Sequence, residues 1–122
     1  MSTLPNCENK IMALINRAPE TREWYVDGKL HSVHIRPNGA QYWYVGEQLH
    51  REDGPACTYP SGTQFWYLND NLHRVDGPAI IYADGAVSWY IDDCIYCTPK
   101  QFQTAAKLSD EDMTALLLKY KF

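Results

Sequence analysis

At 122 residues the chain has room for one domain, and 45% hydrophobic with 13% aromatic content supplies a packed core, which excludes wholesale disorder. A net charge of −4 argues against a general nucleic-acid binder or a binder of anionic membranes, both of which need a cationic face, and favours a basic protein surface as partner. No apolar run is long enough to span a bilayer, and four cysteines (Cys7, Cys57, Cys94, Cys97) without a secretory leader imply free thiols in a reducing cytoplasm.

In chain order, residues 1–19 read first as a helix. Asn6 caps a segment from Cys7 to Arg17, Ile11, Leu14, Ile15 and Ala18 share a stripe, and Pro19 stops it. Residues 20–97 are repeats. Trp43 to Gly62 reads WYVGEQLHREDGPACTYPSG, and Trp66 to Gly85 reads WYLNDNLHRVDGPAIIYADG. The two align without a gap at a spacing of 23 residues and share Trp-Tyr, then Leu-His-Arg, then Asp-Gly-Pro-Ala. A copy beginning at Trp24 lies 19 residues earlier, keeps Trp-Tyr and the histidine, and lacks Asp-Gly-Pro-Ala. A partial copy from Trp89 to Tyr96 puts Tyr96 at the histidine position.

The runs around each Trp-Tyr pair are aromatic and β-branched, which predicts strands. Turns are predicted at Asp27-Gly28, Gly46-Glu47, Asn69-Asp70 and Asp92-Asp93, where a two-residue hairpin favours residues that tolerate positive φ. Further turns fall at Asp53-Gly54-Pro55, Asp76-Gly77-Pro78, Asn38-Gly39, Ser61-Gly62 and Asp84-Gly85. Each copy then supplies a long strand, a short strand at Leu-His-Arg and another strand such as Ala79 to Tyr82. Alternation puts Trp24, Trp43, Trp66 and Trp89 in one row, read as core together with Val26, Val45, Leu68 and Ile91. Tyr25, Tyr44, Tyr67 and Tyr90 form a row on the opposite face.

Residues 98–122 read as helices. Thr98-Pro99-Lys100-Gln101 is a capping box with Pro at the first helical position, ahead of Phe102, Ala105 and Ala106. Ser109 caps a second helix with an acidic first turn and Met113, Leu116, Leu117 and Tyr120 as its buried stripe. The expected fold over residues 1–122 is mainly β (α+β), an antiparallel β-hairpin repeat meander capped by an N-terminal helix and C-terminal helices.

The repeat, from Trp24 to about Tyr96, resembles the divergent MORN-like repeats common in small bacterial and bacteriophage proteins. That resemblance implies hairpins laid side by side in a sheet and used mostly for contacts with other molecules. The common MORN frame carries more glycines than this one, so its membrane association transfers poorly. With its helical ends the chain also looks like the accessory proteins that phages make against host machinery or defence systems.

His50, Arg51, His73 and Arg74 recur with the repeat, and so does His31. They read either as donors for a phosphate or carboxylate on a partner, or as groups that bond the turn aspartates Asp53 and Asp76; a repeated position favours the second. Cys94-Ile95-Tyr96-Cys97 has the spacing of half a zinc site without a second half, so no metal is assigned. His31 and His34 fall on opposite strand faces, the wrong geometry for a shared ligand, and Asp92-Asp93 occupies a turn. The tyrosine row suits an interface, its alternative being that the C-terminal helices cover it through Leu116 and Leu117. No catalytic set or cofactor motif is legible, because like groups are distributed along a line rather than unlike groups converging on a point. The expected function is a non-enzymatic cytoplasmic binding protein, a phage-type inhibitor contacting a protein partner. Its contact residues would be Tyr25, Tyr44, Tyr67, Tyr90, His50, Arg51, His73 and Arg74. The alternative is a sponge for a small anionic signalling nucleotide, and an unpaired hairpin edge makes a homodimer reasonable.

Overall fold

Aromatic and β-branched side chains crowd a helix but fit a pleated surface, and the Trp-Tyr runs accordingly form strands. The computed structural model describes residues 19–120 and 122. Its strands are β1 (Glu20–Val26), β2 (Lys29–Ile35), β3 (Gln41–Val45), β4 (Gln48–Leu49), β5 (Cys57–Thr58), β6 (Gln64–Phe65), β7 (Tyr67–Leu68), β8 (Asn71–Leu72), β9 (Ile80–Ile81), β10 (Val87–Ile91) and β11 (Cys94–Tyr96). Helices α1 (Pro99–Ala106) and α2 (Asp110–Lys119) follow. A nine-stranded sheet runs β1-β2-β3-β5-β6-β9-β10-β11 with β4 beside β3, while β7 and β8 form a two-stranded ribbon. The described fold is thus mainly β and antiparallel, with two C-terminal helices; the helix expected over Cys7 to Arg17 lies outside the described residues.

The sequence repeat is an exact structural repeat in hydrogen bonding. Trp43 N–H donates to the Ala56 carbonyl at 2.8 Å, and Trp66 N–H to Ala79 at 2.7 Å. His50 N–H donates to the Trp43 carbonyl at 2.9 Å, and His73 N–H to Trp66 at 3.1 Å. The return strand is split in two in both copies, β4 and β5 in one and β8 and β9 in the next, and in the second copy the expected long strand is corrected as well, being divided at Trp66 into β6 and β7. The Asp-Gly-Pro-Ala segment fills the gap. Ala56 and Ala79 are fully buried at its end, where a larger side chain would overpack the sheet.

The short strands stop at Leu49 and Leu72, which corrects the strand expected through Leu-His-Arg. His50 and His73 still donate to Trp43 and Trp66 of their own copy, and the ladder ends after them because the Arg51 and Arg74 backbones bond the next copy instead. Arg51 N–H donates to the Tyr67 carbonyl and Arg74 N–H to the Tyr90 carbonyl, both at 3.1 Å. The hairpin turns add a second stitch. At Asp27-Gly28, Asn69-Asp70 and Asp92-Asp93 both central residues have positive φ, which matches the twist of the flanking strands. Asp70 and Asp93 stand where glycine is usual, a left-handed geometry costing about 1 kcal/mol. Their carboxylates offset that cost by accepting the Leu49 and Leu72 N–H groups, each at 2.6 Å.

Both C-terminal helices begin as their caps predict. Thr98 Oγ1 accepts the Gln101 N–H at 3.3 Å, and Ser109 Oγ accepts the Asp112 N–H at 3.1 Å. Phe102 and Met113 are buried against Trp89 and Ile91, with Val87, Tyr96, Leu116 and Tyr120 packed around them. Leu117 is corrected: at 43% exposure it is not part of the buried stripe, which runs through Met113, Leu116 and Tyr120.

Candidate functional site

Directly opposed strand residues share a face, so the register sorts the side chains. Gln41, Thr58, Gln64, Ile81 and Val87 are opposed in series, as are Trp24, His31 and Val45. Counting by twos from these places Trp24, Trp43, Trp66 and Trp89 on one face. Tyr42, Cys57, Phe65, Ile80 and Ser88 are opposed on the other face, with Tyr25, Tyr44, Tyr67 and Tyr90 in phase with them.

The four indoles share a face but not an environment. Trp89 is 1% exposed beneath the C-terminal segment, with Phe102 at 4.7 Å and Phe122 stacked at 4.3 Å between ring centroids. Trp43 and Trp66 are half-buried, each under a guanidinium: Arg51 lies 3.8 Å and Arg74 4.0 Å from the ring centroid. Trp24 is 37% exposed, and among the described residues no guanidinium lies over it. The expectation that the whole row is core is therefore corrected at Trp24, and with it at Val26, which is exposed. The reason is local. Ser32 follows His31 where Arg51 follows His50, and without an Asp-Gly-Pro-Ala loop β2 continues straight, carrying Ser32 to the opposite face, where it is buried.

Arg51 and Arg74 are held by their own loops. Arg51 Nε donates to Asp53 at 2.9 Å and a terminal N–H to the Pro55 carbonyl at 3.3 Å; Arg74 bonds Asp76 at 2.9 Å and Pro78 at 3.1 Å. The histidines differ from the sequence reading. They reach forward to the next copy's turn, not to Asp53 or Asp76: His50 Nδ1 accepts the Asn69 N–H at 3.0 Å, and His73 Nδ1 accepts the Asp92 N–H at 3.2 Å. Accepting at Nδ1 leaves the ring proton on Nε2, which in His50 lies 3.2 Å from Glu52.

Two repeat-related grooves open on this face. One, of about 600 Å³, is lined by apolar and aromatic residues such as Trp24, Val26 and Trp43 together with the charged Asp27, Lys29, Arg51, Glu52 and Asp53. The other, of about 480 Å³, lies between the Arg51–Pro55 loop and the Trp66, Arg74 and Asp76 group. The eight residues singled out from sequence are thus divided: His50, Arg51, His73 and Arg74 stand on the tryptophan face, the four tyrosines on the other.

The tyrosine face is a chain of edge-on rings. His34 meets Tyr44 at 5.0 Å, Tyr42 meets Tyr59 at 5.9 Å, and Tyr59 meets Phe65 at 5.7 Å. Phe65 stacks on Tyr67 at 6.4 Å. Tyr25 at the free end is 73% exposed, while Tyr44, Tyr67 and Tyr90 are half-buried. The C-terminal helices do not cover this row; they pack around Trp89 on the opposite face. Tyr42 lies on this face as alternation with Tyr44 predicts, while Tyr59 and Phe65 also belong to the surface and were missed in the sequence.

Burial pushes the Cys57 thiol beneath these rings from 9.0 up to about 11, and a hydrogen bond with Tyr42, then burial, raises Tyr59 to about 12. Both groups fold in their neutral forms. Their contribution is complete below the unfolded values and is lost as pH rises through the folded ones. Stability is therefore expected to fall above about pH 9, Cys57 accounting for roughly 2–3 kcal/mol. Melting temperature against pH for wild type and Cys57→Ala checks this: the variant should decline less between about pH 9 and 11, and parallel curves refute the assignment.

Cys57, Cys94 and Cys97 are free thiols, the last two exposed. Among the described residues no group of three or more His, Cys, Asp or Glu is placed to hold a metal, and His31 and His34 face opposite ways, beside Trp24 and Tyr44. No described helix is long and apolar enough to cross a membrane. Compared with known families, curated proteins and solved structures, the chain matches none.

Proposed function

We propose that the protein is a non-enzymatic binding protein, an inhibitor of the kind bacteriophages make, which occupies a host or defence macromolecule through its repeat sheet. One observation carries this reading: the repeating polar side chains are engaged with loops and turns of the same chain, while Trp24 and Tyr25 of β1 keep exposed aromatic surface. Arg51, Arg74, His50 and His73 each bond a loop or turn of the same chain, so a small anionic nucleotide would find few free donors among them. Trp24 and Tyr25, by contrast, are exposed on the two faces of one strand. Large rigid aromatic rings with polar tips favour protein contacts. The likeness to MORN-like repeats points the same way, and free thiols fit a reducing host cytoplasm.

The reading is tested by affinity capture from a bacterial host lysate, with wild type compared to Tyr25→Ser. The expected outcome is one host protein retained in stoichiometric amount, with its activity suppressed, and weaker retention by the variant. A clean monomer that retains no partner from any lysate tested rejects it.

A further inference from the structure

Among the described residues the first copy differs from the others in two ways, at its tryptophan and at its outer strand edge. Trp43 and Trp66 each carry an arginine, and Trp89 carries the C-terminal aromatics. Trp24 has His31 and Trp43 beside it, at 5.8 and 5.9 Å, and remains 37% exposed. β1 borders the sheet, and among the described residues no strand pairs with its outer side.

The pairing pattern identifies which backbone groups face outward. Gly46 N–H donates to the Leu30 carbonyl, so the polar groups of Leu30 point to β3 and those of His31 point to β1. Trp24 opposes His31 and therefore bonds inward, whereas Thr21, Glu23 and Tyr25 present their N–H and C=O groups outward. An incoming antiparallel strand would place the residue opposite Trp24 in a non-hydrogen-bonded pair, the closer of the two pair types, with its side chain against the indole.

We infer that β1 is a docking edge for an extended segment of a partner protein, which adds to the sheet as a strand and lays an arginine on Trp24. This rests on the binding-protein reading above and names where and how it binds. The charge of the groove suits a guanidinium: Asp27, Glu52 and Asp53 line it against Lys29 and Arg51, and Arg51 is already paired with Asp53. A planar guanidinium also reproduces what the two inner copies do with their own arginines. A second copy of this chain fits poorly. The antiparallel register that brings its Arg22 opposite Trp24 also sets Glu23 against Glu23, and like charges directly opposed are destabilising.

The probe is a blocked nine-residue peptide of alternating threonine and valine with a central arginine, compared with the same peptide bearing alanine there. The arginine peptide should shift the backbone amide resonances of Thr21, Glu23 and Tyr25 and the indole N–H of Trp24. The alanine peptide should bind about tenfold more weakly. Trp24→Ala should abolish that difference, and Glu23→Pro, which removes an outward N–H that the sheet does not use, should abolish binding by both. Equal affinity for the two peptides, shifts confined to the tyrosine face, or no binding at millimolar peptide would overturn the proposal. So would sedimentation showing a dimer that Trp24→Ala dissolves, which gives the edge to a second copy. If a captured partner still binds Trp24→Ala and Glu23→Pro as tightly as wild type, this site falls while the binding function stands.

Discussion

Trp89→Ala is expected to lower the unfolding free energy by about 3–5 kcal/mol, the range for truncating a large buried aromatic. Trp89 is 1% exposed and touches both helices' contributions at once, with Phe102 and Phe122 against its ring and Tyr120 at 6.1 Å. Removing the indole leaves a hole between β10 and two short helices that have few other apolar anchors. The helices cannot collapse into it without losing Met113 and Leu116 from the same cluster. Urea unfolding followed by tryptophan fluorescence and by far-ultraviolet circular dichroism measures the loss, and helical signal should melt before strand signal in the variant. A cost below about 1 kcal/mol would mean that the cluster around Trp89 does not anchor the C-terminal helices.

Arg74→Ala should cost about 2–3 kcal/mol, and more than Arg51→Ala. The ion pair is the smaller part of this, because Asp76 is 83% exposed and an exposed carboxylate contributes ~1 kcal/mol or less. The larger part is the guanidinium stacked on Trp66 and bonded to the Pro78 carbonyl. The Arg74 side chain is 14% exposed against 25% for Arg51, so its loss uncovers more of the sheet. Gly77→Ala provides an independent probe, since a Cβ there would stand 2.6 Å from Arg74 Cζ, against 3.1 Å for Gly54 and Arg51. Gly77→Ala should therefore displace the arginine and destabilise more than Gly54→Ala. Thermal unfolding of the four variants in high salt separates the terms: screening should leave the Arg74→Ala cost largely intact. If salt removes most of it, the ion pair and not the stack holds the loop.

Much of the fold was legible because the repeat writes the same local rules several times. Hairpin turns at Asp27-Gly28, Asn69-Asp70 and Asp92-Asp93 could be read from residues that accept positive φ, and the helix starts at Thr98 and Ser109 from their capping side chains. These are decided within a few residues. The tryptophan and tyrosine rows followed from period-2 alternation, which any strand obeys. The arginine contact to the turn aspartate was also accessible, being two residues away in each copy.

What lay beyond the sequence depends on partners many residues distant. The histidines bond turns 19 residues onward, and no local rule distinguishes that from a bond to the nearer Asp53 or Asp76. Which face the C-terminal helices would cover was open from pattern alone, since both rows of the sheet are aromatic and either could receive an apolar helix stripe. Packing around Trp89 decided it.

The amino-acid order by itself determined the strands, the turns, the helix caps and the two aromatic rows, because each is set by side-chain sterics and hydrogen bonds over a few neighbours. Only the tertiary structure decided that four equivalent tryptophans have unequal surroundings. Burial is a property of what lies above a ring: an arginine from the same copy over Trp43 and Trp66, the chain's end over Trp89, and solvent beside Trp24.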